Sequence, residues 1–301
     1  LNQNRYAYGY ISTVAIASVV RAKLMVTVSP LLILLLSSLF GCVYFHLVTY
    51  KQCLKVYQKF FIQKRLFFQI NVTVMLIWLA TYYSIYFSSA AVFVFEFFTI
   101  GGCISLFKKH AQNALWQKIS VLLMLLCMLI PFLLYPSQYL GITLAMLGGI
   151  MGYVYNALSG KAAVLLELQS SQLLAIRFWL LIFLSLMLLP ASELRLLSWP
   201  VFLNIIAVSV ASFILQIWLN QRSVITIGTQ MTAYISSFTP ALTFLFQGII
   251  LHDWVLPIFF LSLIGSGFML LNTYCTIKNI KPLHLLFPLK NDKLINRQDP
   301  T

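Results

Sequence analysis

The chain has 301 residues, of which 61% are hydrophobic, 15% aromatic and only 9% charged. A soluble domain carries about 25% charged residues; so few cannot wet a globule of this size, which excludes a soluble enzyme, a nucleic-acid binder and a disordered tail protein. The net charge of +14, from 20 Lys+Arg against 6 Asp+Glu, is distributed between apolar runs and reads as membrane topology, with no nucleic acid as partner.

A bilayer-spanning helix needs about 20 mostly apolar residues. Ten segments meet that rule, near 7–23, 28–50, 68–87, 89–107, 119–136, 138–158, 173–190, 200–219, 224–250 and 255–275. The opening apolar stretch is expected to be a span, not a removable signal peptide. The polar run Lys51 to Arg65, Pro136-Ser137, Ser192-Glu193 and Asn220-Gln221-Arg222 are the expected breaks. The run from Phe67 to Phe107 is too long for one helix and is divided at Ser88-Ser89. Backbone polar groups cannot stay unpaired in lipid, and the alternation of a barrel is absent, so the fold class is all-α, a polytopic membrane protein. Five cysteines (Cys42, Cys53, Cys103, Cys127, Cys275) show no CxxC or ligand-like spacing, so neither a disulfide framework, a metal site nor a cofactor is expected.

With the N-terminus inside, every Lys and Arg except Arg21, Lys23, Arg177 and Arg195 falls on the cytoplasmic side. That bias places both termini in the cytoplasm and supports an even number of spans. Arg21, Lys23 and Arg195 are expected on the opposite side, and Arg177 at the cytoplasmic start of a span, where it would anchor to lipid phosphate, the alternative being that it steers an anionic cargo. His46 and His252 read as isolated residues near span ends.

The halves echo one another. Ile77-Trp78-Leu79 recurs as Ile217-Trp218-Leu219, 140 residues on; at the same offset Thr99 falls on Thr239 and Glu96 on Ser236, and Lys23 and Lys161 are 138 apart. These matches indicate a duplicated five-helix unit, 1–136 and 137–275, followed by a basic cytoplasmic tail, 276–301. Five is odd, so the second copy enters the membrane inverted, an arrangement typical of secondary carriers.

The second half carries a more specific likeness. Gly141 to Lys161 (GITLAMLGGIMGYVYNALSGK), Arg177-Phe178, Ser223 to Gly248 (SVITIGTQMTAYISSFTPALTFLFQG), Ile250-Leu251-His252-Asp253 and Gly265-Ser266-Gly267 follow one another as the helices of a repeat. With these features the chain resembles the drug/metabolite transporter superfamily, EamA type. In the first half the counterpart stretch, Phe93-Val94-Phe95-Glu96-Phe97-Phe98-Thr99, lacks the proline but keeps an acid. The resemblance implies ten transmembrane helices in two inverted five-helix repeats, a bacterial inner-membrane location, and a central cavity lined by the first, third, fourth, sixth, eighth and ninth helices.

Glu96 is the single acid deep within an expected span. A carboxylate in hydrocarbon is costly unless paired or protonated, so Glu96 should face the bundle interior, as a substrate-amine ligand, as a proton-coupling site, or as a hydrogen-bonded structural acid. Pro240 lacks an N–H and is expected to bend the ninth helix and free a carbonyl near Ser236, which Ser236, Ser237 and Thr239 could satisfy unless they bind cargo. On the cavity helices that the resemblance implies, the candidate substrate contacts are Tyr83, Tyr86, Tyr153, Tyr155, Asn156, Trp218 and Tyr234; interface-belt or packing roles are the alternative. Gly148, Gly149 and Gly152 form a small-residue stripe that permits close helix approach.

No P-loop, HExxH, GxSxG or carboxylate cluster is present, so an enzyme is not expected. The expected function is secondary transport of a small polar metabolite, an amino acid or related compound by family habit and outward, by alternating access, with a proton as a candidate coupled ion. The alternative is a non-transporting membrane scaffold or degenerate carrier.

Overall fold

A computed structural model describes residues 4–107, 114–195 and 197–278, and these form helices joined by short turns, with no strand. The basic tail from Lys281 and the pair Lys108-Lys109 lie outside the described residues. Among the described residues six helical segments are long and apolar enough to cross a membrane: Pro30–Val48, Lys64–Phe87, Pro136–Leu165, Ser170–Leu188, Trp199–Gly228 and Tyr234–Leu251. Shorter apolar helices occupy Ala90–Ile104, Lys118–Leu134 and Leu256–Phe268. The outer surface is built for lipid: Leu122, Leu126, Leu129 and Leu133 form a helical stripe, each 49% exposed or more. Such a stripe would be an aggregation liability in water and is the normal coat of a bilayer protein. The chain is an all-helical, polytopic membrane protein.

The helices begin where local chemistry lets them. Helix α1 spans Arg5–Leu24 and α2 spans Pro30–Val48. Ser29 caps α2, its hydroxyl accepting from the Leu32 amide at 3.3 Å, and Pro30 fills the first helical position, where its missing N–H costs nothing. The polar run Lys51 to Arg65, expected as a plain break, contains the amphipathic α3 (Cys53–Ile62), whose Val56 and Phe60 are buried. His46 is likewise not isolated. Its Nδ1 faces the Cys42 carbonyl at 2.8 Å, so Nε2 is left to accept from the Tyr57 hydroxyl of α3 at 2.8 Å. Burial pushes that hydroxyl up to about 12, so it stays a donor at neutral pH.

Helix α4 (Lys64–Phe87) gives way to α5 (Ala90–Phe107) at Ser88-Ser89, and α6 (Ala114–Leu134) to α7 (Tyr139–Leu165) through a single 3-10 turn, Pro136–Gln138. The span expected at 173–190 is in fact α8 (Ser170–Ala175) and α9 (Trp179–Leu188), separated by a bend at Ile176–Phe178. A one-turn helix α10 (Ala191–Leu194) follows, then α11 (Trp199–Ser209).

Two expected boundaries are corrected. Asn220-Gln221-Arg222 is not a loop: α11 continues through a π-helical segment, Val210–Gln216, into α12 (Ile217–Ser236). The break falls instead at Gly228, whose φ of 82° and ψ of 161° suit glycine alone. Asn220 and Gln221 have partners across the bundle, Gln221 accepting from Tyr155 at 3.1 Å and Asn220 donating to Asn156 at 3.2 Å, while Arg222 is exposed. Pro240 does not bend a continuous helix. Helix α12 stops at Ser236 and α13 (Thr239–Leu251) starts afresh, with Pro240 in its first turn, where backbone N–H groups have no intrahelical partner anyway. Hydroxyls serve this break: Ser237 donates to the Tyr234 carbonyl at 2.8 Å, Thr239 to that of Ser236 at 2.7 Å, and Ser266 to that of Ser237. Helix α14 (Leu256–Lys278) closes the described chain.

In the packing, α7 lies along α4 and α5, while α1 lies along α12 and α13. Helix α2 meets α8, α9 and α11, α5 meets α13, and α6 meets α14. The largest core cluster is knitted by Phe213, stacked on Trp78 with ring centroids 4.1 Å apart and tilted against Phe178 at 5.7 Å.

Candidate functional site

A cavity of about 120 Å³ lies among these helices. Tyr10 and Arg21 reach it from α1, Trp78 and Thr81 from α4, and Phe97 and Phe98 from α5. Tyr153, Tyr155 and Asn156 reach it from α7, Arg177 from the α8–α9 bend, and Gln216, Asn220, Thr232 and Ser236 from the π segment and α12. The π turn widens one helical turn by a residue, which re-aims the side chains that follow it.

Two arginines dominate its chemistry, and both sit where the sequence reading did not put them. Arg21, expected among the charges of the non-cytoplasmic side, turns inward from the last turn of α1. It is 1% exposed; its Nε donates to the Ala17 carbonyl at 3.1 Å and Nη2 to the Ser18 hydroxyl at 3.0 Å, while Nη1 has no partner. Its guanidinium lies over the rings of Tyr82 and Trp78, at 5.5 and 5.7 Å. Arg177 is not at a lipid headgroup. It is 3% exposed, donates through Nη1 to the Tyr155 hydroxyl and lies 5.0 Å from that ring, while Nε has no partner. One signal for Arg21 is legible in the sequence: Tyr10, Val14 and Arg21 recur at helical spacing and share the cavity-facing stripe of α1.

The bend that carries Arg177 is held from α4, where the Asn71 side-chain amide donates to the Ile176 carbonyl and to the Phe67 carbonyl, each at 3.1 Å. Asn71→Leu removes both donors and leaves the Ile176 carbonyl unserved, at a cost of about 1–3 kcal/mol. Thermal unfolding in detergent should register that loss, while the conservative Asn71→Gln should lose less.

The residues singled out from the sequence fall in several places. Tyr153 and Asn156 line the cavity. Glu96 is fully buried in α5, is not among the lining residues, and neither carboxylate oxygen has a hydrogen-bond partner. Tyr83 and Tyr86 stand at the far end of α4 around Phe87, Tyr86 being 52% exposed, a belt position and not a cavity one. Trp218 packs edge-on against Tyr6 and under Arg222, and Tyr234 joins the same small cluster beside α1. Ser237, Thr239 and Pro240 belong to the α12–α13 break, where Ser237 and Pro240 border a minute void with Thr99 and Ser266. Among the described residues no three His, Cys, Asp or Glu side chains gather as a metal site requires. No protein-family model, curated protein or solved structure matches the chain.

Proposed function

We propose that the chain is a secondary carrier of the drug/metabolite type that moves a small polar metabolite across a bacterial inner membrane by alternating access. The observation that carries this reading is the polar cavity, to which residues of both sequence halves contribute. A scaffold has no use for buried arginines, asparagines and glutamines around an internal space, whereas a carrier needs convergent polar groups between its halves.

The ten-span, inverted-repeat arrangement belongs to the same proposal. Counting α8 with α9, α11 with α12 as far as Gly228, and the rest of α12 with α13, the helices other than α3 and α10 would supply five spans to the first half and five to the second. The contacts have the symmetry that a two-fold axis in the membrane plane would produce. The third and fourth spans of the first half pack on the opening helix of the second, and the third and fourth of the second pack on the opening helix of the first. The second, fourth and fifth spans each meet their own counterpart. The charge bias of the loops then puts both termini in the cytoplasm. Proton coupling through Glu96 and outward transport complete the reading.

Asn156→Cys, in a chain freed of its native cysteines, tests alternating access. In membrane vesicles of both orientations, a membrane-impermeant thiol reagent should label position 156 from each side, and cargo should protect it. Labelling from one side only, unchanged by any solute, would replace the carrier with a static membrane protein.

A further inference from the structure

We propose that the cavity binds a small organic anion, held by Arg21 and Arg177; this rests on the carrier reading and gives its cargo class. The two guanidiniums are the charged groups of the lining, and the ionisable neighbours of each are tyrosines, Tyr10 and Tyr82 for Arg21 and Tyr155 for Arg177. Glu96 does not balance them, since both of its oxygens are without hydrogen bonds and it does not face the cavity. The site therefore holds two buried positive charges and no counter-ion among the described residues.

That arrangement is costly by itself. An uncompensated ion in a low-dielectric interior is strongly unfavourable, and intramembrane arginines are found where they line a cavity or meet a partner. The aromatic rings below each guanidinium offset part of the cost, and the Tyr155 hydroxyl takes one N–H of Arg177. Arg21 Nη1 and Arg177 Nε still lack acceptors. Guanidinium is also the group best shaped for paired hydrogen bonds to a carboxylate or a phosphate. The two are bridged by packed aromatics: Arg21 over Trp78, Trp78 on Phe213, Phe213 against Phe178, and Phe178 4.9 Å from Arg177. At about 120 Å³ the space suits a metabolite on the order of ten non-hydrogen atoms. Asn156 and Asn220, paired with each other at 3.2 Å, offer neutral donors and acceptors for the rest of such a molecule. An amine cargo would meet two like charges and no acid.

The test uses the purified full chain in proteoliposomes. An acid-soluble metabolite extract is divided by ion exchange into anionic, neutral and cationic pools, and counterflow from each is read by mass spectrometry. The anionic pool alone should exchange. In parallel, succinate and glycerol 3-phosphate are titrated against the thermal unfolding of the detergent-solubilised protein, to separate carboxylate from phosphate recognition. Either should raise the unfolding temperature, with putrescine giving no rise. Arg21→Gln and Arg177→Gln should each weaken the anion response about tenfold or more, which is about 1.4 kcal/mol, and Arg177→Lys, which keeps charge without the fork, should fall between. Counterflow from the neutral or cationic pool alone overturns the anion proposal and keeps the carrier. An anion-induced rise with no counterflow from any pool sustains the anion site and overturns the carrier. If neither anion raises the unfolding temperature and the anionic pool is silent, the proposal falls whatever the variants do.

Discussion

Gly149→Val is expected to be among the most damaging single substitutions in the bundle, and Gly149→Ala only somewhat milder. A Cβ at this position would come within 2.3 Å of the Phe97 carbonyl oxygen and 2.4 Å of Ile100 Cγ2. The first of these is backbone and cannot swing aside. Alanine gains up to about 1 kcal/mol of helix propensity over glycine, but ordinary overpacking costs about 1–3 kcal/mol even where side chains can yield. Here α5 and α7 must separate, so the clash wins and the expected net loss for valine is about 3 kcal/mol or more. Gly148 and Gly152 face the ring of Phe97 in the same seam, with Cβ contacts of 3.2 and 2.9 Å to ring atoms that have some room to shift. They should tolerate alanine better. The same helix supplies the control: a Cβ on Gly160 meets nothing within 4 Å. Gly160→Ala should be neutral or stabilising by about 0.4–1 kcal/mol. Thermal unfolding of the purified variants in one detergent ranks all four positions, and equal losses at Gly149 and Gly160 would show that propensity, not the seam, controls α7. Because Gly149 also borders the cavity, Gly149→Ala should reduce transport more than its stability loss alone accounts for.

The glycine stripe was legible in the sequence because small residues at helical spacing have few other uses in a membrane helix. Membrane character, the Ser88-Ser89 break and the Pro136 turn were legible for similar reasons, since hydropathy and turn chemistry are local. What could not be read were features decided by partners across the bundle. Asn220-Gln221-Arg222 looked like a loop because three polar residues in a span are costly when alone, yet Asn156 and Tyr155 on α7 give Asn220 and the Gln221 carbonyl oxygen hydrogen-bond partners. Arg21 was counted with the charges of the non-cytoplasmic side because it stands three residues from the end of its helix; only the aromatic pair Trp78 and Tyr82 on α4 makes an interior seat for it. Pro240 was recognised as a disruptor of the helix. That it opens α13 instead of bending a longer helix depends on the Ser237 and Ser266 hydroxyls that serve the freed carbonyls. The amphipathic α3 was hidden by its lysines, which make a half-buried surface helix look like a polar loop.

Glu96 sets up the second large effect, in which stability and function should move in opposite directions. The side chain is 0% exposed and both oxygens lack hydrogen-bond partners. Removing unsatisfied polar atoms while keeping the volume is a change that stabilises, because the desolvation penalty disappears with the group that incurs it. Glu96→Met is therefore expected to raise stability by about 1–3 kcal/mol. Glu96→Gln should gain little, since an amide buried in the same place needs partners as much as a carboxyl does. Neither variant can take up or release a proton at this position. If the proposed coupling runs through Glu96, both variants should lose any acceleration of flux by an imposed pH gradient, while exchange of cargo at equal pH on the two sides continues. Unfolding in detergent paired with flux at zero and imposed gradients separates the cases. A Glu96→Met protein less stable than the parent would mean that the carboxyl finds a partner in the ensemble and contributes to packing. A stabilised variant with the pH response intact would keep the desolvation argument and remove Glu96 from coupling. A stabilised variant that has lost the response would identify a group kept at a cost to the fold for the sake of the transport cycle, the pattern by which functional residues break the rules of packing.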